Sequence, residues 1–123
     1  MAQDMRTPAA GADTLPLDVE TMRGTARPLL AEDAELPTEK RELEELAALL
    51  RDHIVQLMPE VAGLAVRLPR DDVPRACASA CIGEANMRLR LGVGDVIPVR
   101  QAVVAKLARS VMALCDHYEN LSA

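Results

Sequence analysis

The chain has 123 residues, enough for one compact domain, and half of them are apolar although only 1% are aromatic. Because β-sandwiches and barrels depend on aromatic and β-branched side chains, this composition favours an all-α fold built from leucine, alanine, valine and methionine. The net charge of −5 lacks the basic surplus of nucleic-acid-binding proteins, and no run of 18 apolar residues could span a membrane. We therefore expect neither nucleic acid nor a membrane as a partner.

The first 16 residues have no helical period and contain Pro8, Gly11 and Pro16. They predict a flexible N-terminal arm over residues 1–16, followed by a single helical domain over residues 17–123. The arm lacks the apolar core of a secretion signal, so the three cysteines are expected to be reduced thiols. These features predict a cytoplasmic protein.

The first predicted helix runs from Val19 to Ala31, with Asp18 as its N-cap. Gly24 and Pro28 are expected to interrupt it, because glycine is a weak helix former and proline lacks the amide proton. Residues 32–37 then break the helical pattern.

The second helix has the clearest apolar period in the chain. Thr38 is its predicted N-cap, with glutamates in the first turns, Pro59 as an expected kink and Pro69 as its end. Apolar residues recur at three- and four-residue steps: Leu43, Leu46, Ala47, Leu50, Ile54, Leu57, Met58, Val61, Leu64, Ala65 and Leu68.

Two further helices complete the prediction. One starts at Asp71-Asp72-Val73-Pro74 and ends near Leu91, before Gly92-Val93-Gly94. Asp95 is the predicted N-cap of the next, which has these apolar residues down one side: Val99, Val103, Leu107, Val111, Leu114, Tyr118 and Leu121. About four amphipathic helices predict a small antiparallel bundle, and its wide apolar stripes predict a homodimer.

The third helix carries an unexpected ion pair. At 100° per residue, Glu84 and Arg88 fall on the face predicted to be buried, together with Val73, Cys77, Ala80, Cys81 and Leu91. Because a buried carboxylate is costly unless it is paired, this is either a structural ion pair or a carboxylate held in a cleft as a proton acceptor or ligand anchor.

Three other polar positions are candidate site residues. His53 lies at the edge of the second helix's apolar stripe, either as a boundary histidine with its hydrogen bonds satisfied or as a general base. His117 and Tyr118 belong to an unusually polar C-terminal segment, which either caps a fraying helix or lines a groove.

The cysteines and histidines do not match a known metal motif. Cys77 and Cys81 face the same way on a helix, but Cys115 and His117 would point about 160° apart. We therefore interpret the cysteines as small buried apolar residues and predict no metal site. No phosphate loop, dinucleotide fingerprint or serine-hydrolase elbow is present in the sequence.

Two segments carry a family resemblance: residues 68–85 (LPRDDVPRACASACIGEA) and residues 113–121 (ALCDHYENL). From about Leu17 onward the chain resembles small helical actinobacterial proteins associated with natural-product biosynthesis. Among these it is similar to the lysinoalanine-forming enzymes of cinnamycin- and duramycin-type lantibiotics. The resemblance implies that a lysine amine of a modified precursor peptide adds to a dehydroalanine, with no cofactor.

The residues themselves suggest how such a reaction could be supported. A lysine ammonium must lose a proton before it attacks, so we nominate His53 and Glu84 as proton acceptors. Arg75 and Arg88 would hold a peptide carboxylate, and His117 and Tyr118 would line the groove. The alternative is a non-enzymatic dimeric interaction or regulatory protein of a natural-product gene cluster, which the same apolar stripes would serve.

Overall fold

A computed structural model describes residues 17–92 and 94–123, so the predicted arm over residues 1–16 lies outside the described residues. Helix α1 spans Val19–Ala26 and continues as a 3₁₀ turn over Arg27–Leu30. Helix α2 spans Lys40–Ala65, α3 spans Val73–Arg88 and α4 spans Ile97–Ser122. All regular secondary structure in the described part of the chain is helical, which confirms the predicted helical bundle.

The long helices alternate in direction. Arg100, near the start of α4, pairs with Glu44, near the start of α2, through Nη1 and Oε1 atoms 3.1 Å apart. The chain reverses direction at the short connection before α3 and again at the one after it. Helices α2 and α4 therefore run in the same direction, and α3 runs antiparallel to both. The most extensive packing is between α2 and α4.

The core lies mainly between these two helices, and α1 adds Met22 and Ala26 to it. The predicted stripe of α2 is confirmed, since each of its members is buried or half-buried. The predicted stripe of α4 is confirmed except at Val99, which is exposed because it lies in the first turn of the helix. The largest fully buried side chains are these: Leu43, Leu50, Ile54, Leu57, Leu107 and Leu114.

The ends of α1 and α2 differ in detail from the prediction. The Asp18 carboxylate accepts a hydrogen bond from the Thr21 amide at 3.1 Å, which confirms the predicted N-cap. The helix passes through Gly24 without interruption and tightens into the 3₁₀ turn at Pro28, whose ring nitrogen cannot donate. Helix α2 begins after Glu39 rather than Thr38.

Pro59 lies inside α2, which continues through it to Ala65, four residues before the predicted end at Pro69. The proline removes the hydrogen bond that would reach the Val55 carbonyl. Because Pro59 and Val55 are both exposed, water can hydrate this carbonyl.

The remaining helix ends also shift. Helix α3 begins within the predicted start segment, with Asp72 at the N-cap position, but it ends at Arg88 rather than near Leu91. The N-cap of α4 is Val96 rather than Asp95. Gly94, just before it, has a φ of +74°, and a Cβ there would lie 2.5 Å from Cγ1 of Val99, so both the backbone angle and the space require glycine.

The buried face of α3 is not the predicted one. Ala78 and Ala85 are fully buried, with Cys81 and Ile82 half-buried beside them, whereas Cys77 is exposed. The face of α3 that is buried is rotated about the helix axis by about 100° from the predicted stripe, which equals a shift of one residue. The sequence was misleading here because small apolar residues surround α3 on all sides, so that its period is weak.

Candidate functional site

An open cavity of about 250 Å³ lies where the end of α3 meets the middle of α4. Its walls combine apolar side chains with charged ones: Glu84, Met87, Arg88, Leu91 and Lys106. Because clefts that bind small groups typically join an apolar surface to a few charged atoms, this cavity is the candidate site.

Arg88 is the central side chain of the cavity. Its Nη1 donates to the Lys106 carbonyl at 3.2 Å and to Oγ of the buried Ser110 at 3.1 Å, so α4 holds the guanidinium in place. The side chain is 21% exposed. Among the described residues, no protein acceptor is found for its Nε or Nη2, which leaves donors for a ligand anion.

Glu84 is more exposed than predicted. Its Oε1 lies 3.5 Å from Nη1 of Arg88, and its side chain is 58% exposed. The ion pair expected from the sequence therefore exists, but it lies at the surface because α3 is rotated. Solvent weakens such a pair, so the carboxylate is free to interact with a ligand.

His53 does not line this cavity. Its ring is buried on α2, and among the described residues its Nδ1 has no hydrogen-bond partner. Burial lowers the pKa of His53, against a smaller opposing effect of the Asp52 charge. His53 thus keeps only 7% of its exposure, and the structure shows no protein partner for Nδ1 among the described residues, so the expectation that its hydrogen bonds are satisfied stays a prediction.

Arg75 makes a structural contact and does not line the cavity. Its Nη1 donates to the Leu68 carbonyl at 2.7 Å, which ties the first turn of α3 to the connection after α2. This bond provides a partner for one carbonyl just beyond the end of α2.

The polar C-terminal segment holds α1 against the bundle. The guanidinium of the buried Arg23 forms ion pairs with two carboxylates. Its Nη2 lies 2.6 Å from Oδ1 of Asp116, and its Nη1 lies 2.7 Å from Oε1 of Glu119. The hydrogen bond to Asp116 raises the pKa of Arg23 despite the opposing effect of burial. His117 and Tyr118, between these carboxylates, are half-buried, and Tyr118 packs against the core. Two of the polar residues in this segment, Asp116 and Glu119, are therefore explained by their ion pairs with α1.

A second open cavity of about 300 Å³ lies along α2, lined by Glu42, Glu45, Leu46 and Leu49. The neighbouring Glu39 raises the pKa of Glu42 through a side-chain hydrogen bond. The charged residues of its lining are all carboxylates, and the nearby Arg41 is paired with one of them, Glu45, at 3.5 Å, so this surface suits a peptide carboxylate less well than the first cavity.

The three cysteines differ in exposure. Cys77 is exposed, Cys81 is half-buried and Cys115 is fully buried, so the expectation of buried cysteines was wrong for Cys77. Burial raises the pKa of Cys115 to about 11 and also raises that of Cys81. Across residues 17–92 and 94–123, no three His, Cys, Asp or Glu side chains converge on a point that could hold a metal ion.

We expect a thiol reagent at pH 7 to label Cys77 first, because its side chain is accessible to solvent. Cys115 should react only on unfolding, since it is buried and protonated. Mass mapping of maleimide adducts over time checks the order. Labelling of Cys115 in the native protein at a rate comparable with Cys77 would contradict it.

Of the six predicted site residues, the structure brings two together, Glu84 and Arg88. The sequence interpretation missed Lys106, because its face on α4 is set by the packing of α3. The remaining four, His53, Arg75, His117 and Tyr118, lie outside the walls of the cavity.

Most of the chain matches one known protein family. Residues 20–123 match a family of unknown function, DUF6415. The protein belongs to this family. No curated protein and no solved structure matches the chain. In the part of the chain that the structure describes, no helix is long and apolar enough to cross a bilayer.

Proposed function

We propose that this DUF6415 protein binds a modified precursor peptide at the cavity between α3 and α4 and closes a lysinoalanine bridge in it. The observation that supports this is the grouping of Glu84, Arg88 and Lys106 around one partly apolar cavity. The class of reaction is taken from the sequence resemblance: residues 68–85 and 113–121 resemble small helical actinobacterial proteins of natural-product biosynthesis, and among these the chain is expected to be similar to lysinoalanine-forming enzymes.

The reaction needs no redox partner. A proton moves from the peptide's lysine ammonium to a carboxylate, and the nitrogen then attacks the methylene carbon of dehydroalanine. The resulting enolate regains a proton at its α-carbon, so the product is an isomer of the substrate. Because the acceptor carboxylate can return the proton it took, the balance closes within the peptide and Glu84.

In this proposal Glu84 moves the proton, and Arg88 and Lys106 hold a peptide carboxylate. Most of the acceleration would come from holding amine and alkene together, since effective molarity alone can supply about 7–11 kcal/mol. His53, Arg75, His117 and Tyr118 are not part of this proposal, because none of them lines the cavity.

The test is a bridge-formation assay. Bridge formation leaves the mass unchanged, so the protein is incubated with a hydroxylated, thioether-cyclised peptide that retains one dehydroalanine, and a small thiol is then added. Loss of the thiol adduct only when the protein is present supports the proposal. Full adduct formation at stoichiometric protein would overturn it.

Single substitutions separate binding from chemistry. We expect Arg88→Met to weaken peptide binding by about 10- to 100-fold, the range for a lost charge-assisted hydrogen bond. Glu84→Gln should lower the rate by about 10²-fold or more with little change in binding. Arg90→Met is the matched control, because Arg90 is exposed on the same chain segment and does not line the cavity.

Peptide binding is measured by calorimetry, and folding of each variant by circular dichroism. Unchanged activity in a folded Glu84→Gln variant would remove Glu84 as the proton acceptor. Equal loss of binding in Arg88→Met and Arg90→Met would indicate general charge attraction rather than a site.

The second candidate function is a non-enzymatic interaction protein of a natural-product gene cluster. It is favoured by one observation: the described lining of the cavity holds a single carboxylate, and its other charged residues are two cations, Arg88 and Lys106. Peptide binding that needs Arg88 but leaves the thiol adduct intact would support this function.

A further inference from the structure

Ser110 places a buried hydroxyl on α4 among mainly apolar neighbours. It is 2% exposed, and burying a hydroxyl is unfavourable unless it has a hydrogen-bond partner. Its Oγ accepts a hydrogen bond from Nη1 of Arg88 at 3.1 Å, and no other partner of this oxygen is found among the described residues. The buried hydroxyl is therefore explained by its contact with the central side chain of the cavity.

The described contacts of the Arg88 guanidinium all converge on one nitrogen. Nη1 donates to the Ser110 hydroxyl at 3.1 Å and to the Lys106 carbonyl at 3.2 Å. Oε1 of Glu84 lies 3.5 Å from the same nitrogen. The first two partners are a buried side chain and a backbone group of α4, so the helix holds this corner of the guanidinium in place.

The opposite edge of the guanidinium remains available to a ligand. Within the described part of the chain, neither Nε nor Nη2 of Arg88 has an acceptor. Neither of them belongs to the buried polar atoms that lack a partner there, which are Nδ1 of His53 and Nε of Arg100. The N–H bonds of Nε and Nη2 that form this edge are parallel, and their spacing matches the two oxygens of a carboxylate.

We propose that Ser110 is a positioning residue, which holds Nη1 of Arg88 so that the Nε–Nη2 edge binds a ligand carboxylate side-on through two hydrogen bonds. The carboxylate part of this inference rests on the proposed function, because that function supplies the ligand. It adds that a planar fork, rather than a point charge, selects the group. Lys106 then acts twice, since its carbonyl holds Nη1 and its ammonium adds charge to the same cavity.

Nuclear magnetic resonance tests the hold on Nη1 without any ligand. A guanidinium held at one corner rotates slowly about its Cζ–Nε bond, so its Nη1 and Nη2 protons give separate signals. We expect separate signals for Arg88, identified by their loss in Arg88→Lys, and faster exchange between them in Ser110→Ala. Ser79→Ala is the matched control, because Ser79 is exposed on α3. Exchange as slow in Ser110→Ala as in the wild type would overturn the positioning role.

Calorimetry with the hydroxylated, thioether-cyclised peptide tests what the held edge does. We expect Ser110→Ala to weaken binding by about 3- to 10-fold, the effect of one hydrogen bond, but by less than about twofold in an Arg88→Met background. Equal loss in both backgrounds would show a structural effect that does not pass through Arg88, and would overturn the proposal. Circular dichroism checks that each variant folds.

Arg88→Lys tests the fork directly, because lysine keeps the charge but presents no planar pair of donors. It should weaken peptide binding about as much as Arg88→Met, and wild-type affinity would overturn the side-on geometry. Arg88 is partly exposed, so this test stands even where Ser110→Ala does not fold.

The two proposals fail separately. Peptide binding that needs Arg88 but is unchanged in Ser110→Ala would overturn this inference and leave the proposed function standing. A wild-type protein that does not bind the peptide would overturn the proposed function and the carboxylate part of the inference. The exchange measurement would then still decide whether Ser110 holds Arg88.

Discussion

Ala85→Leu is expected to lower the free energy of unfolding by about 1–3 kcal/mol, because it adds three carbon atoms to a packed helix contact. Ala85 is 0% exposed, and it and Ala78 are the two buried residues of α3. Ala80→Leu, on the exposed side of the same helix, should change the free energy by less than about 0.5 kcal/mol.

Urea unfolding followed by far-ultraviolet circular dichroism measures this difference, since the chain has no tryptophan to serve as a probe. The experiment is done at high dilution so that association does not contribute. Heating the same samples gives a second measure: Tm of Ala85→Leu should fall by about 4–8 °C for each kcal/mol of lost stability. Equal destabilisation by both substitutions would contradict the rotation of α3 described above.

The free energy of unfolding should fall as pH is lowered from 7.5 towards 5, and His53 should account for part of the fall. Burial holds the pKa of His53 below its ordinary value, so the folded protein binds the proton less readily than the unfolded chain. Stability is therefore complete above the unfolded pKa, near 6.5, and is lost as pH falls below it. The slope due to His53 cannot exceed about 1.4 kcal/mol per pH unit, the limit for one proton.

His53→Gln is the control, because it cannot titrate in this range. All other ionisable groups are common to both proteins, so the difference between the two stability curves isolates His53. We expect the free energy of unfolding of the wild type, minus that of the variant, to decrease as the pH falls. Parallel curves between pH 7.5 and 5 would show that burial does not penalise the charged ring.

The sequence predicted α2 and most of the face of α4 correctly because large apolar residues mark them. Leu50 and Leu57 on α2, and Leu107 on α4, belong to rows of large apolar residues at helical spacing with charged residues on the other faces. Burying these rows is far more favourable than burying any other face. The same reasoning failed at α3, where Ala78, Ala80 and Cys77 differ little in apolar area. Choosing the wrong one of these as buried carries only a small energetic penalty.

The candidate site was predicted only in part for the same reason. Glu84 and Arg88 are four residues apart on one helix, so their proximity follows from local geometry alone. Lys106 reaches the cavity only through the packing of α4 on α3. His53 was recognised as a candidate, but its distance from the other candidates depends on the arrangement of the helices.

Composition and periodicity determined that the chain is an all-α bundle, which helices it contains and which leucines form its core, because these follow from helix propensity and from burial of large apolar surface. Only the tertiary structure decided which face of α3 is exposed, because small residues there leave the choice to packing. It also decided that Arg23 reaches Asp116 across 93 positions of the sequence. Contacts between such distant charges depend on how whole helices meet, which no local pattern records.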